Sequence, residues 1–347
     1  MTNKKTTSKK YQFSGKTIEC FFDAEFSEIE NLVKRENTIF ITDENIFAKQ
    51  SEKFSGWQTI VIKAGEPFKN QKAVAEVINQ LIELQADRQS FIVGIGGGVV
   101  TDITGFVASI YMRGVKFGFV PTSILAMVDA SIGGKNGIDV GVYKNLVGII
   151  RHPEFLLYDY SFLETLPDAE WINGFAEIIK HACIKDKEMF DFLEENSLDK
   201  FQNSHEFTGK LIEKNVDIKY NVVSNDEYET GERKLLNFGH TIGHAIENVS
   251  KLAHGHAISI GMVAACIISQ KVNGFSVADG QKIEALLSKY KLPVALNFDK
   301  EKTWEILQHD KKKSGTDMSF VVLDAIGKGA VKKISLSDLR EIFNELF

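Results

Sequence analysis

Cysteine and proline are scarce in this 347-residue sequence, which narrows the classes of protein it can belong to. The three cysteines (Cys20, Cys183 and Cys266) are scattered, odd in number and free of any CxxC pattern, so no disulfide framework is expected. Reduced thiols are typical of a reducing compartment, and we therefore expect a cytoplasmic protein. With five prolines and no long low-complexity tract, the composition is that of an ordinary globular chain.

The sequence also lacks a surplus of basic charge and a long apolar run. A net charge of −6 and a pI near 5.8 argue against a nucleic-acid partner. The most apolar later stretch, residues 257–269, is too short to span a bilayer and predicts a buried helix, so we expect no membrane partner. The first ten residues are polar and basic, no apolar stretch follows them, and they predict a loose terminus.

The first half of the chain alternates segments with the patterns of strands and helices. Apolar, β-branched runs predict strands at residues 38–42, 58–63, 90–95 and 116–121. Helical patterns predict helices at residues 44–54, 70–86 and 99–111. This alternation predicts an α/β fold with a mostly parallel sheet and helices on both faces.

From about residue 168 onward, helical patterns dominate. They predict helices at residues 169–186, 188–196, 206–225, 235–248, 256–272 and 280–290. A weak hairpin signal follows at residues 319–323 and 330–334. We therefore expect a nucleotide-binding α/β domain of residues 1–166 and a mainly α-helical metal- and substrate-binding domain of residues 167–347.

A glycine run, GIGGGVVTD, follows the third predicted strand at residues 94–102. Glycines there let backbone N–H groups approach a phosphate, and the next helix N-terminus favours an anion. The run departs from the dinucleotide fingerprint because Val99 stands where the third glycine belongs, and a tight turn would also need such glycines. Asp43, at the end of the first predicted strand, is either a ribose ligand or a helix N-cap.

Four of the eight histidines lie close together in the second half. LNFGHTIGHAIE places His240 and His244 on one helical face, and AHGHAISIG adds His254 and His256. An isolated histidine is more often a surface or core residue, but four beside glycines favour a metal site. Two at this spacing can share a metal, or one can bind it while the other works on substrate.

A third metal ligand is expected from GFAEIIKHACIKD, which carries Glu177, Lys180 and His181 on one helical face. A Glu–Lys pair at this spacing is usually a solvated ion pair, but the apolar flanks predict a largely buried helix. One glutamate and two histidines with an open position are typical of catalytic zinc.

Cations also recur in glycine-rich loops, where they predict a phosphate or carboxylate ligand. The cations and their polar neighbours are Arg113, Asp129, Lys135, Lys144, Asn145, Lys219, Arg233 and Asn237.

Taken in order, several segments resemble the 3-dehydroquinate synthase family over residues 42–327. They are GGGVVTDITGF, PTSILAMVDASIGGKNGID, YKNLVG, LPDAEWINGFAEIIKH, DEYETGERKLLNFGHTIGHAIE and HGHAISIGM. The resemblance implies the substrate 3-deoxy-D-arabino-heptulosonate 7-phosphate, a catalytic NAD that is not consumed, and zinc or cobalt. It implies oxidation, phosphate elimination, reduction and aldol cyclisation, and a homodimer.

The resemblance also implies roles for individual residues. The metal ligands are Glu177, His240 and His254, which leaves His256 without a role. The catalytic set is Lys135, Lys144, Lys180, Glu229, Arg233 and His244. The substrate contacts are Arg113, Asp129, Lys135, Asn145, Lys180, Lys219, Arg233, Asn237, His244 and one of Lys311 and Lys312. The NAD contacts are Asp43, Glu66, Lys69, Gly97, Gly98, Asp102, Thr122, Ser123, Lys135, Lys144 and Thr165.

Two residues depart from the family pattern, and three other functions stay open. Thr101 replaces a common glycine of the cofactor loop, and Ser123 replaces a threonine but keeps a hydroxyl. One alternative is a cyclase acting on sedoheptulose 7-phosphate. A second is an NAD-dependent metal alcohol dehydrogenase, which would release NADH. A third is a non-catalytic sugar-phosphate binder, against which the Glu177, His240 and His254 set argues.

Overall fold

The computed structural model describes residues 6–141, 143–311 and 317–346, without the side chains of 309–311. The described chain forms two units, Met1–Pro167 with His205–Glu227, and Asp168–Ser204 with Tyr228–Phe347. The first unit therefore includes a helical segment that a single boundary near residue 166 would assign to the second.

The first unit is built on a seven-stranded sheet in the order β1-β2-β9-β6-β5-β3-β4. Its strands are β1 (Thr7–Gln12), β2 (Thr17–Phe22), β3 (Thr38–Asp43), β4 (Gln58–Ile62), β5 (Phe91–Gly96), β6 (Lys116–Pro121) and β9 (Phe155–Tyr158). All neighbours are parallel except β1 and β2. The α/β prediction with a mostly parallel sheet is confirmed.

Buried apolar runs explain the central strands. β3 and β5 are almost entirely buried, as expected of strands covered on both faces. One face carries an aromatic core that includes Phe26, Phe40 and Phe162. The expectation of a loose terminus was wrong for residues 7–10, because they pair with β2 as the edge strand β1.

Besides short 3₁₀ and π turns, the described part of the first unit also contains four α-helices and a hairpin. The helices are α1 (Glu44–Lys49), α2 (Gln71–Glu83), α3 (Gly98–Ile110) and α7 (His205–Asn225). The hairpin is formed by β7 (Lys135–Val140) and β8 (Tyr143–Ile150). The predicted helix at 44–54 is shorter than expected, because α1 ends at Lys49 and a 3₁₀ turn follows at Ser51–Phe54.

The second unit is mainly helical, as predicted. Its helices are α4 (Asp168–Lys185), α5 (Lys187–Glu195), α6 (Leu198–Gln202), α8 (His240–Ser250), α9 (His254–Asn273), α10 (Val277–Lys289), α11 (Lys300–Lys311) and α12 (Leu336–Leu346). The late hairpin is confirmed as β10 (Asp317–Ala325) and β11 (Lys328–Ser335).

Two details of the second unit differ from expectation. The helix predicted at 235–248 is divided into a 3₁₀ turn, Glu232–Asn237, and α8, because Gly239 adopts a left-handed conformation with φ +79° between them. Helix α9 is long and apolar enough to cross a membrane, but 67% of its most apolar window is buried within the protein. That burial is typical of the core helix of a soluble protein.

Candidate functional site

Helix α9 begins in close contact with α4, and a glycine makes this approach possible. The backbone N–H of Gly255 donates to Asn173 Oδ1 over 2.6 Å. A Cβ at Gly255 would lie 2.2 Å from the carbonyl oxygen of Asn173. Asn173 lies one helical turn before Glu177, so the first residue of α9, His254, is brought to Glu177.

Substitution of Gly255 by alanine is expected to displace the start of α9 and weaken the metal centre proposed below. A methyl group 2.2 Å from a backbone oxygen cannot be accommodated without movement of one helix. We expect zinc affinity to fall by more than about tenfold, the loss typical of a misplaced ligand shell. Gly15→Ala is the control, because a Cβ there meets nothing within 4 Å. Unchanged zinc affinity in Gly255→Ala, measured by chelator competition, would contradict this account.

Helices α8 and α9 also cross closely at glycines. A Cβ at Gly261 would lie 2.0 Å from the carbonyl oxygen of Gly239, and one at Gly243 would lie 3.0 Å from that of Ala257. Only glycine lets two backbones approach so near. The histidines of the two helices therefore converge on one point.

Glu177, His240 and His254 meet at that point. The Oε1 atom of Glu177 lies 3.4 Å from His240 Nε2 and 3.3 Å from His254 Nε2. The other nitrogen of each ring also faces an acceptor: His240 Nδ1 donates to Phe238 O over 3.1 Å, and His254 Nδ1 lies 3.4 Å from Glu247 Oε2. A histidine held through Nδ1 presents Nε2 to a metal, and one glutamate with two histidines is a catalytic zinc donor set. The residues present therefore fit a divalent metal.

Charge in this cluster is concentrated on buried groups. Glu177 is fully buried and forms an ion pair with Lys180, which is 1% exposed. Burial raises the pKa of Glu177, but Lys180 and the two histidines outweigh it and hold the pKa well below its usual range. Burial lowers the pKa of His254, yet hydrogen bonds and charge from Glu177 and Glu247 raise it to about 9. Burial keeps the pKa of His240 below its usual value.

Metal uptake is consequently expected to release one proton from His254. Below pH 9 the ring carries two protons in the metal-free protein, whereas a ligand must be neutral. His240 is already neutral near pH 7 because its pKa is lowered. Zinc affinity should therefore fall about tenfold per pH unit below pH 9 and level off above it. Titration calorimetry in buffers of different ionisation enthalpy measures the proton count, and a pH-independent affinity between pH 7 and 9 would contradict it.

The remaining histidines have different surroundings. The ring of His244 lies 5.0 Å from that of His240, and His244, Glu247 and His254 form a second group of donors within 4.8 Å of one another. His256 belongs to none of the three-donor groups found among the described residues. Its Nε2 is buried without a hydrogen-bond partner, and burial lowers its pKa.

A second polar cluster of this unit lies in and just before the 3₁₀ turn Glu232–Asn237. Asn237 donates a hydrogen bond to Glu229, whose backbone has a positive φ of 59°. Arg233, which lies between these two residues in the sequence, is buried. The side chain of Lys311 and all of Lys312 lie outside the described residues.

In the first unit, the glycine run lies where the sequence predicts it, between β5 and α3. Gly97 is the N-cap of α3, and no side chain caps the helix. Thr122, after β6, donates its N–H to Gly96 O over 3.0 Å, and a Cβ at Gly97 would lie 3.4 Å from Ser123 Oγ. An uncapped helix N-terminus beside bare glycines suits a phosphate group. These residues fit a dinucleotide at the carboxyl edge of the sheet.

Asp43 lies at the same edge, at the end of β3. Its Oδ1 accepts hydrogen bonds from the N–H groups of Asn45 and Ile46 at 2.9 and 3.1 Å. Asp43 is therefore the N-cap of α1, which was one of the two interpretations of this residue. Thr165 contacts the end of α1, where its carbonyl oxygen accepts from Lys49 Nζ over 2.9 Å.

Several predicted ligand residues of the first unit contact one another. Lys69 Nζ lies 2.5 Å from Asp102 Oδ2 and donates to Asn145 Oδ1 over 2.6 Å. Burial lowers the pKa of Lys69, but Asp102 and Glu66 outweigh it and raise the pKa. Lys144 lies 3.4 Å from Glu66. The loop of Glu66 and Lys69 is thus joined to the β7–β8 hairpin.

Lys219, on α7, belongs to the same unit and forms a 2.7 Å ion pair with Asp129. Arg113 and Lys135 are exposed.

The sequence analysis assigned no role to Glu247, Asn173 or Gly255. For Glu247, the available signal was its position three residues after His244.

Two family models match adjoining parts of the chain. The 3-dehydroquinate synthase N-terminal model matches residues 59–173, and the C-terminal model matches residues 174–313. A 3-dehydroquinate synthase from Thermodesulfovibrio yellowstonii is 40% identical over 306 residues, which is 86% of this chain and 85% of that protein. The one from Pyrococcus furiosus is 41% identical over 295 residues, covering 83% and 85%.

Solved structures show the same fold. A 2-deoxy-scyllo-inosose synthase, complexed with carbaglucose-6-phosphate, NAD+ and Co²⁺, is 26% identical with a TM-score of 0.87 and covers 98% of this chain and 100% of that one. The 2-epi-5-epi-valiolone synthase from Streptomyces hygroscopicus, with NAD+ and Zn²⁺ bound, is 23% identical with a TM-score of 0.87 and covers 97% of each chain.

Proposed function

This chain belongs to the 3-dehydroquinate synthase family, and from that premise we propose that it converts 3-deoxy-D-arabino-heptulosonate 7-phosphate to 3-dehydroquinate and phosphate. The observation that carries the proposal is identity near 40% over most of the chain to curated 3-dehydroquinate synthases. The 2-deoxy-scyllo-inosose synthase is only 26% identical, so an alternative cyclase activity is not favoured.

We propose NAD and a divalent metal, zinc or cobalt, as the cofactors. Glu177, His240 and His254 would hold the metal, which supplies Lewis acidity to a bound oxygen, while NAD supplies a reversible hydride acceptor. Residues proposed to bind NAD include Gly97 and Gly98 at the uncapped start of α3, with Asp43 at the end of β3 and Thr122 and Ser123 just after β6.

The chain's own cations would bind and orient the phosphate and the carboxylate of the substrate. In the first unit these are Lys135, Lys144 and Lys219, with the carboxamide of Asn145 held by Lys69. In the second unit Arg233 and Lys180 are almost completely buried, so their charges are screened little by solvent. Fixing the substrate in this way favours elimination by placing its groups in reacting geometry.

Proton transfer is assigned to Glu229 and His244. The carboxylate of Glu229 is held by the amide of Asn237, which fixes its direction. His244 lies one turn after His240 on α8 and shares its helical face. A group that moves a proton must lie at a defined place beside the substrate, and the contacts of Glu229 with Asn237 and of His244 with His240 support this assignment.

A homodimer is supported by the exposed strand β8. Among the described residues β8 pairs only with β7, and large apolar side chains project from it, with Leu146 63% and Tyr143 59% exposed. An exposed apolar strand with an open edge is stabilised by pairing with another strand. The mass of the protein in solution tests the dimer.

Buried free cysteines and a buried α9 support a cytoplasmic location.

One assay tests the activity. Purified protein with the heptulosonate phosphate, zinc and substoichiometric NAD is expected to release phosphate and form dehydroquinate without net NADH. Phosphate release from sedoheptulose 7-phosphate alone would point to another cyclase. Stoichiometric NADH formation from simple alcohols would point to a dehydrogenase, and no reaction with any of them to a binding protein.

A further inference from the structure

Helix α8 carries a buried carboxylate to which the proposed reaction assigns no role. Glu247 is 4% exposed and lies one turn after His244. Its Oε2 atom lies 3.4 Å from His254 Nδ1, on the side of the imidazole ring away from Glu177. Both nitrogens of His254 therefore face carboxylates. A carboxylate is costly to bury, which makes its position beside a metal-ligand candidate informative.

We propose that Glu247 is a positioning residue for the metal centre, whose carboxylate accepts the Nδ1–H of His254 and turns Nε2 toward Glu177. The inference rests on the proposed function, because it assumes that His254 is a metal ligand. A carboxylate hydrogen-bonded to the far nitrogen of a ligating histidine fixes its tautomer and makes it a stronger ligand. Glu247 is placed to do both.

The two candidate histidine ligands differ in what holds them. The Nδ1 atom of His240 is held by the backbone oxygen of Phe238, which no side-chain change removes. His254 depends on a side chain instead, and its own side chain is 28% exposed against 12% for His240. Without Glu247, the ring would keep its contact with Glu177 at Nε2 but lose the carboxylate that faces Nδ1. The orientation of His254 is therefore expected to depend more strongly on Glu247 than on a neighbouring side chain that does not face a ring nitrogen.

A rival arrangement uses Glu247 as a direct ligand together with His244 and His254, whose donor atoms lie within 4.8 Å of one another. It is less favoured because three donors already converge at the fully buried Glu177, whose Oε1 lies 3.3 and 3.4 Å from two histidine Nε2 atoms. In the rival arrangement no ion would bind at that point. The two arrangements predict that zinc affinity depends on different histidines, on His240 in the proposed arrangement and on His244 in the rival one.

Zinc affinity of the metal-free, full-length protein provides the test, with the absorption spectrum of the Co²⁺-loaded protein as a second readout. In Glu247→Gln the amide oxygen still accepts Nδ1–H but carries no charge, and in Glu247→Ala the acceptor is gone. Zinc affinity should fall roughly tenfold in the first and up to about 100-fold in the second, with a changed cobalt spectrum. Glu284→Gln, an exposed position on α10, is the control and should leave both readouts unchanged.

The outcomes separate this inference from the function it rests on. Wild-type affinity and spectrum in both Glu247 variants would overturn the positioning role while leaving the metal centre intact. Loss of zinc in His244→Ala with retention in His240→Ala would make Glu247 a ligand and also overturn it. A wild-type protein that binds neither zinc nor cobalt would remove the metal centre itself. If Glu247→Ala does not fold, the isosteric glutamine variant decides.

Discussion

Replacing His254 by alanine is expected to empty the metal centre and to lower kcat/KM by at least about 10³-fold, since a Lewis-acid metal contributes several kcal/mol and each 1.36 kcal/mol is a factor of ten. The ring of His254 is the link between α9 and the buried Glu177, from which its Nε2 lies 3.3 Å. Its loss removes one of the three donors and the imidazole nitrogen that lies 3.4 Å from Glu247 Oε2.

His256→Ala is the matched control, since it removes an imidazole two residues away on the same helix. His256 is outside the three-donor groups of the described residues, and we expect its variant to retain most of the metal and activity. Metal content per chain by mass spectrometry and initial rates of phosphate release measure both variants. Equal loss of metal from the two would show that the wrong histidine of the HGH segment has been assigned.

The sequence predicted four strands of the sheet, β3, β4, β5 and β6, and most helices, because their signals are local; β9 was not predicted. β3 and β5 are short apolar runs, and the alternation of strands and helices predicts parallel pairing without knowledge of distant contacts. The β1–β2 hairpin was missed because the residues of β1 are lysine-rich and largely exposed, so its strand conformation depends on pairing with β2. β7 and β8 were taken as ligand loops, since their glycines and cations suggest a phosphate site more strongly than a hairpin.

Helix α7 shows the limit of periodicity. Its pattern predicts a helix correctly but does not identify the helix's partner. In the structure α7 belongs to the first unit, where a Cβ at Gly209 would lie 3.1 Å from the ring of Tyr160 and Lys219 pairs with Asp129. Such contacts join residues that are far apart in sequence, and no local pattern encodes them.

The same reason divides the candidate site into a part that could be predicted and a part that could not. Residue type and family motif pointed to the candidate ligands Glu177, His240 and His254, and the structure brings these three residues together. The close approach of Gly255 to Asn173, which places His254, is a contact between α9 and α4 and leaves no mark in either helix alone. The pairing of Glu247 with His254 likewise depends on how α8 and α9 cross.

Replacing Lys180 by methionine is expected to break the buried ion pair beside the proposed metal. Lys180 and Glu177 are both almost completely buried, so removing the ammonium leaves a carboxylate without its nearest countercharge in a poorly solvated site. Breaking such a pair by removing one partner costs about 3–5 kcal/mol. We expect the metal-free variant to lose about that much free energy of unfolding, measured by urea denaturation.

Two comparisons make that result specific to the buried pair. Lys185→Met, on the same helix, breaks a partly exposed pair with Glu232 and should cost less than about 1 kcal/mol. Saturating zinc should restore part of the stability lost in Lys180→Met, because a divalent cation at Glu177 replaces the missing positive charge and binds only the folded state. A loss no larger than that of Lys185→Met would mean that Glu177 does not depend on Lys180. A loss unchanged by zinc would mean that no cation binds at Glu177, which would remove the basis for assigning that residue as a metal ligand.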